Sequence, residues 1–262
     1  MKNIMKSIWY EILRSKFMIK IYILFVLVMG LTTVLNVGDS VQKGHTSGML
    51  AGSPNLTYFF PLFMVGFIVA VICGEDYKDK VAHYEILSGH SRISIYLART
   101  LMGIIVGSVL TLVLSFIPIL VGIMIDGWGN KLILSDVIVR HMLFFFPYVR
   151  LSAFIAMLTF LIKNPYIIMA ISFVITDFGM LVIDILASKA SLAVSLFNLK
   201  LLTEYDGWSI YNLDPHQGIV QYFSYDSSVS SGMVIGTIVV SLVMAGLYLF
   251  MGYALFRRDE LN

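Results

Sequence analysis

The chain is poor in charged residues. Asp, Glu, Lys and Arg make up 13% of its 262 residues, whereas 58% of the residues are hydrophobic. Soluble domains carry about 25% charged and about 45–50% apolar residues, so this composition excludes an ordinary soluble domain. The sequence therefore predicts an integral membrane protein.

Several motifs of known chemistry are also absent from the sequence. There is no G-x-x-x-x-G-K-[ST], the loop that holds nucleotide phosphates, so we expect no ATP hydrolysis by this chain. Neither G-x-S-x-G nor H-E-x-x-H occurs, and the histidines are scattered without the spacing of metal ligands. We therefore expect no catalytic, cofactor-binding or metal-binding residues, and no enzyme activity.

The sequence also has few cysteines and little net charge, and each of these features excludes a class of interaction. Cys73 is the only cysteine, which excludes an internal disulfide. The formal net charge is only +2, and no basic cluster suggests a nucleic-acid partner.

Long apolar runs are what the sequence has in abundance. A helix needs about 20 predominantly apolar residues to cross a hydrocarbon core of about 30 Å. The runs are continuous rather than alternating, which favours helices over barrel strands. They predict an all-α fold in one domain with six transmembrane helices, at residues 20–37, 56–74, 96–125, 137–162, 166–187 and 233–256. Pro118 and Pro147 lie within two of these runs and are expected to kink them.

The first 19 residues predict a separate amphipathic helix. Apolar residues that include Ile4, Ile8 and Trp9 recur at helical spacing, and Lys2 and Lys6 fall between them. Such a helix lies along the inner membrane surface; the alternative is that it extends the first span into the cytoplasm.

Lysine and arginine are distributed unevenly among the segments that join the runs. With both termini in the cytoplasm, most of these residues fall on the inner side, including Arg99, and a minority fall outside, including Arg140. Positive residues favour the cytoplasmic side of a membrane. The sequence therefore predicts a multi-pass protein of the cell membrane, surrounded by the lipid bilayer, with both termini cytoplasmic.

The outer segments differ in length. Residues 38–55 are rich in Gly and Ser and suggest a plain connector. Residues 188–231 are too long for a simple connection between helices, which usually takes about 2–8 residues. This segment is interpreted either as a lid or re-entrant element near a substrate exit, or as a loop that caps the bundle.

Ionisable residues inside the apolar runs are candidates for function, because charges at membrane depth normally face a partner or water. Arg150 and Asp177 lie at similar predicted depths on the fourth and fifth spans, and Asp184 lies about two turns further out. Two interpretations are open: a structural ion pair that joins the two spans, or a pathway for substrate or protons.

Gly103 and Gly107 form a G-x-x-x-G pattern in the third span. This pattern indicates close approach of another helix. The spacing leaves open whether that helix belongs to the same chain or to a second copy.

One polar stretch carries a family resemblance. The sequence CGEDYKDKVAHYEILSGHSRISIYLAR covers residues 73–99, between the second and third spans. Together with the amphipathic first helix, the six runs, the long outer segment and the ending FRRDELN, it resembles the permease subunits of type-2 ABC exporters. The resemblance is closest to small bacterial permeases of peptide-antibiotic export or immunity.

This resemblance implies a cytoplasmic coupling helix within residues 75–95 that docks on a separate ABC ATPase subunit. The residues implied in docking are Lys80, Tyr84, Glu85, Ile86, Leu87 and Arg92, with Tyr84, Ile86 and Leu87 as apolar contacts and Glu85 and Arg92 as polar ones. ATP and Mg²⁺ would then be bound by the ATPase, and a second permease copy or homologous permease would complete the unit. The implied activity is ATP-driven export of an amphipathic peptide or another hydrophobic molecule. A non-transporting membrane sensor or scaffold, or an intramembrane enzyme, is the alternative.

Overall fold

A computed structural model describes residues 2–40, 45–52, 55–78, 87–174, 212–214, 218–220 and 231–258. These residues form nine helices: α1 Lys2–Arg14, α2 Lys16–Ser40, α3 His45–Gly52, α4 Asn55–Lys78, α5 Arg92–Asp126, α6 Leu134–Leu143, α7 Phe145–Ile162, α8 Pro165–Val174 and α9 Ser231–Arg258. Two short strands, β1 Asn212–Asp214 and β2 Gly218–Val220, pair in antiparallel register. The described part of the chain is therefore overwhelmingly helical.

Four helical segments within the described residues are long and apolar enough to cross a membrane, and one of them combines two consecutive helices. They are Lys16–Val37 of α2, Arg92–Asp126, Leu134–Ile162 across α6 and α7, and Val234–Arg257 of α9. These helices cover the first, third, fourth and sixth predicted runs. The second run lies within α4, which has 24 residues, and the apolar stretch whose side chains the structure describes there is Pro61–Gly74. The fifth run begins in α8 and continues outside the described residues.

Pro118 and Pro147, both expected to kink a helix, have different effects. Pro118 lies inside α5, which continues through it as one helix. Near Pro147 the helix divides instead, because α6 ends at Leu143 and α7 begins at Phe145. Pro147 has no N–H to donate to the carbonyl of Leu143, so the ladder of helical hydrogen bonds is interrupted there. The two helices remain joined through Phe144, whose backbone is itself helical.

Helix boundaries elsewhere follow local side-chain chemistry. The hydroxyl of Ser91 accepts a hydrogen bond from the backbone N–H of Ser94, which caps the start of α5. Lys163 ends α7 in the left-handed region, at φ 59°. The side-chain oxygen of Asn164 then accepts a bond of 3.0 Å from the N–H of Tyr166 and caps α8.

Helix α1 packs on the protein by its apolar face. The side chains of Ile4 and Ile8 are buried, and Ile8 and Val71 of α4 line one groove. The predicted segment 1–19 is divided at Ser15, because α2 already begins at Lys16.

Contacts between helix ends define the directions of the helices. The ring of Tyr96, near the start of α5, lies 4.9 Å from that of Phe160 and 5.6 Å from that of Phe256. Gly74 of α4 lies beside Pro165. Helices α4, α7 and α9 therefore end together where α5 and α8 begin, and we name this the Tyr96 end.

The opposite end, the His45 end, joins the start of α3 to the end of α5. The imidazole Nδ1 of His45 lies 3.3 Å from the carboxylate of Asp126. About 15 Å back along α5 from Asp126, the ring of Phe116 lies 5.2 Å from that of His141 in α6. Helix α5 thus runs from one end of the bundle to the other.

The plain connector expected at residues 38–55 contains helix α3, so that prediction was wrong. Its first turn is held by the loop that follows α5. The N–H of Thr46 donates to the carbonyl of Gly127 at 3.3 Å, and the N–H of Ser47 donates to the carbonyl of Trp128 at 2.8 Å. These bonds come from residues distant in sequence, which is why local pattern gives no sign of the helix.

Candidate functional site

The first candidate region is the polar segment that joins α4 to α5 at the Tyr96 end. Leu87 is 82% exposed, and Arg92 at the start of α5 is exposed as well. Between them, Gly89 has φ 92°, a backbone conformation that favours glycine. The other residues implied in docking lie outside the described residues: Lys80, Tyr84, Glu85 and Ile86. The terminal parts of the predicted region 75–95 belong to α4 and α5.

This segment is attached to a firmly packed base. The hydroxyl of Tyr96 donates to the carbonyl of Leu249 in α9 at 2.6 Å. Its ring also lies 5.5 Å from that of Tyr253. The start of α5 is therefore fixed to the end of α9 by both aromatic packing and a hydrogen bond.

Arg150 forms the second candidate region, inside the bundle. Its side chain is 0% exposed in α7 and hydrogen bonds to the hydroxyl of Tyr248 in α9. A buried guanidinium needs such partners, because the loss of water around the charge is costly. Asp177 and Asp184 lie outside the described residues, so the proposed ion pair and the proposed pathway both stay predictions.

A polar contact joins α5 and α7 two residues beyond Arg150 in the sequence. The hydroxyls of Ser108 and Ser152 lie 3.3 Å apart and are both buried. The hydroxyl of Thr111, one turn further along α5, is buried and has no hydrogen-bond partner within the described ranges. Hydroxyl pairs of this kind link helices where water is excluded.

Gly103 and Gly107 lie where α5 meets α4 and α7 of the same chain. A Cβ atom at Gly103 would lie 2.9 Å from the Sγ atom of Cys73. At Gly107 it would lie 3.0 Å from a methyl group of Val69 and 3.3 Å from the hydroxyl of Ser152. The absence of side chains at both positions therefore permits this close approach.

Two buried arginines were missed by the sequence-based selection. Arg99 and Arg140 were counted among the charges outside the bilayer, yet each side chain is only 1% exposed. Arg99 shares a helix face with Gly103 and Val106, at spacings of four and seven residues. This periodicity is the feature of the sequence that could have indicated its burial. Arg140 stands beside the buried His141 in an apolar helix.

The described residues contain no cluster of three or more His, Cys, Asp and Glu side chains that could hold a metal ion. Their buried polar side chains are mainly guanidinium and hydroxyl groups, together with the imidazole of His141, and such groups can join helices. A scan against models of known protein families gives no match, and a search of curated proteins also gives none.

Proposed function

We propose that this chain is the membrane-spanning subunit of an ATP-driven ABC exporter. A separate subunit hydrolyses ATP and docks on residues 80–92, which join α4 to α5. The cargo is an amphipathic peptide or another hydrophobic molecule. This assignment builds on the resemblance of residues 73–99 to the permeases of type-2 ABC exporters.

The observation that carries the proposal is the exposure of Leu87. A leucine that is 82% exposed, next to a polar segment between two long helices, is available for burial against a partner. Burial of a leucine side chain contributes about 1.5–3 kcal/mol. Arg92, also exposed, supplies a polar contact at the edge of the same surface.

The packing of α4 and α5 supports a mechanical role for this segment. The two helices approach closely at Gly103, and the start of α5 is bonded to α9 through Tyr96. A displacement of residues 80–92 would therefore move α4 and α5 together. In the proposed mechanism, ATP binding draws two ATPases together, and this movement opens an outward path between two permeases.

The first test is whether the neighbouring open reading frame encodes a soluble chain with G-x-x-x-x-G-K-[ST] and a complete ATPase signature loop. That chain is then co-expressed with the tagged permease and purified in mild detergent. We expect the two chains to elute together with ATPase activity. If the ATPase does not accompany the unaltered permease, the exporter assignment is wrong, and a sensor or scaffold becomes the better one.

The second test locates the docking surface. Leu87→Lys should weaken ATPase binding about tenfold or more, because it replaces buried apolar contact with a charge. Ile133→Lys is the matched control, since Ile133 is 68% exposed in the loop after α5 and should leave binding unchanged. Equal effects of the two substitutions would show that docking does not occur at residues 80–92.

A further inference from the structure

A groove with a volume of about 440 Å³ lies between α1 and α5. This size falls within the roughly 300–1,000 Å³ of typical ligand pockets. Helix α1 contributes Lys2, Met5, Lys6 and Trp9, which share one helix face at spacings of three and four residues. Both lysines are exposed, so their ammonium groups are available at the rim of the groove.

The opposite wall of the groove is apolar. It consists of Met102, Ile105 and Val106 of α5, of which Ile105 is half exposed. No carboxylate is among the described residues that line it. Glu11, which is the only acidic residue of α1, lines a different groove together with Ile8 and Ile12.

When the outer edge of the hydrocarbon core is placed at Asp126, the charged residue that ends α5, the groove falls at the depth of the lipid phosphates on the other side. Helix α5 has 35 residues and is therefore about 52 Å long, well beyond a hydrocarbon core of about 30 Å. Measured back from Asp126, Val106 is about 30 Å and Met102 about 36 Å away. The apolar wall thus reaches the edge of the core, and the lysines face the headgroup region.

We propose that this groove binds one anionic phospholipid. The phosphate lies between Lys2 and Lys6, and an acyl chain lies along Ile105 and its neighbours on α5. The chemistry requires both features, because the lysines attract the negative headgroup and the apolar wall receives the chain. This binding site is independent of the proposed export function.

Quenching of Trp9 fluorescence tests the site directly. Trp128→Phe and Trp208→Phe leave Trp9 as the only tryptophan, since the chain has three. The purified full chain is titrated in neutral detergent with phosphatidylglycerol that carries brominated acyl chains, and separately with brominated phosphatidylcholine. We expect the anionic lipid to quench Trp9 at a lower mole fraction. Equal quenching by the two lipids would overturn the proposal.

Two double variants distinguish charge at the groove from charge elsewhere on the surface. Lys2→Gln with Lys6→Gln should raise the mole fraction of phosphatidylglycerol needed for half-maximal quenching of Trp9 about 30-fold, on the basis of two lysines near the headgroup. Lys16→Gln with Lys20→Gln removes the same charge from α2, and neither residue lines the groove, so its effect should be small. Comparable effects of the two pairs would indicate general surface attraction and refute a specific site.

Filling the groove tests the apolar wall. Ile105→Phe keeps both lysines but narrows the space, and it should also weaken quenching by the anionic lipid. Unchanged quenching in this variant would show that no chain lies on α5. Inorganic phosphate at millimolar concentration should not compete with phosphatidylglycerol; effective competition would assign the site to phosphate and not to lipid. Elution volume and circular dichroism verify that each variant is folded.

Discussion

Substitution of Gly103 by alanine tests the packing of α4 against α5. The added Cβ atom would lie 2.9 Å from the Sγ atom of Cys73, closer than such atoms normally approach. Overpacking of this kind costs about 1–3 kcal/mol. Replacement of glycine by alanine inside a helix also stabilises it by about 0.5–1 kcal/mol. We therefore expect a net loss of up to about 2.5 kcal/mol in the free energy of unfolding.

Two glycines provide matched controls for this substitution. An added Cβ atom at Gly30 of α2 or at Gly246 of α9 meets nothing within 4 Å. Gly30→Ala and Gly246→Ala should therefore show only the helix-propensity gain, about 0.5–1 kcal/mol of added stability. The predicted effect differs in sign between the packed and the open positions.

The assay is reversible unfolding in mixed micelles with increasing SDS, followed by circular dichroism. A Gly103→Ala protein as stable as the Gly30→Ala protein would refute the close contact with Cys73. The double variant Gly103→Ala with Cys73→Ala should recover part of the loss, because removal of the sulfur makes room for the new methyl group. A changed oligomer size with unchanged stability would place the contact between two copies.

Two further predictions concern buried groups. Tyr248→Phe removes the hydroxyl that bonds to Arg150 and should lower the free energy of unfolding by about 1–2 kcal/mol, measured in the same SDS titration. Stability within 0.3 kcal/mol of the parent, on the order of measurement error, would contradict an energetically significant bond. Cys73 is fully buried and should react with maleimide only after unfolding in SDS. Rapid labelling in mild detergent would show that α4 separates from α5 in the folded protein.

Much of the helical architecture could be predicted from hydrophobic run length alone. The runs at residues 96–125 and 233–256 correspond to long helices, because continuous apolar sequence can satisfy its backbone in a membrane only within a helix. The division of the fourth run into two helices at Phe144 was harder to predict, although Pro147 indicated a disturbance there. A proline predicts a disturbed helix, but neighbouring packing decides between a kink and a break.

The polar features were harder to predict, because they depend on contacts between distant residues. Helix α3 lacks an amphipathic pattern and is fixed by backbone bonds to Gly127 and Trp128. The burial of Arg99 depends on the orientation of α5 toward α4, which charge counting does not report. Arg150 could be selected as a candidate from the sequence, because a charge far from either end of an apolar run stands out without knowledge of its neighbours, and its side chain is buried in α7.

The length and contacts of α5 allow it to transmit movement from one end of the bundle to the other. It touches α1, α2, α3, α4, α6, α7 and α9 and continues unbroken from Arg92 to Asp126. Rotation of such a rod by about 5° about its midpoint would move its two ends about 2 Å in opposite directions. A small push beside Arg92 would consequently shift the loop at Gly127, and with it the helix α3 that this loop holds.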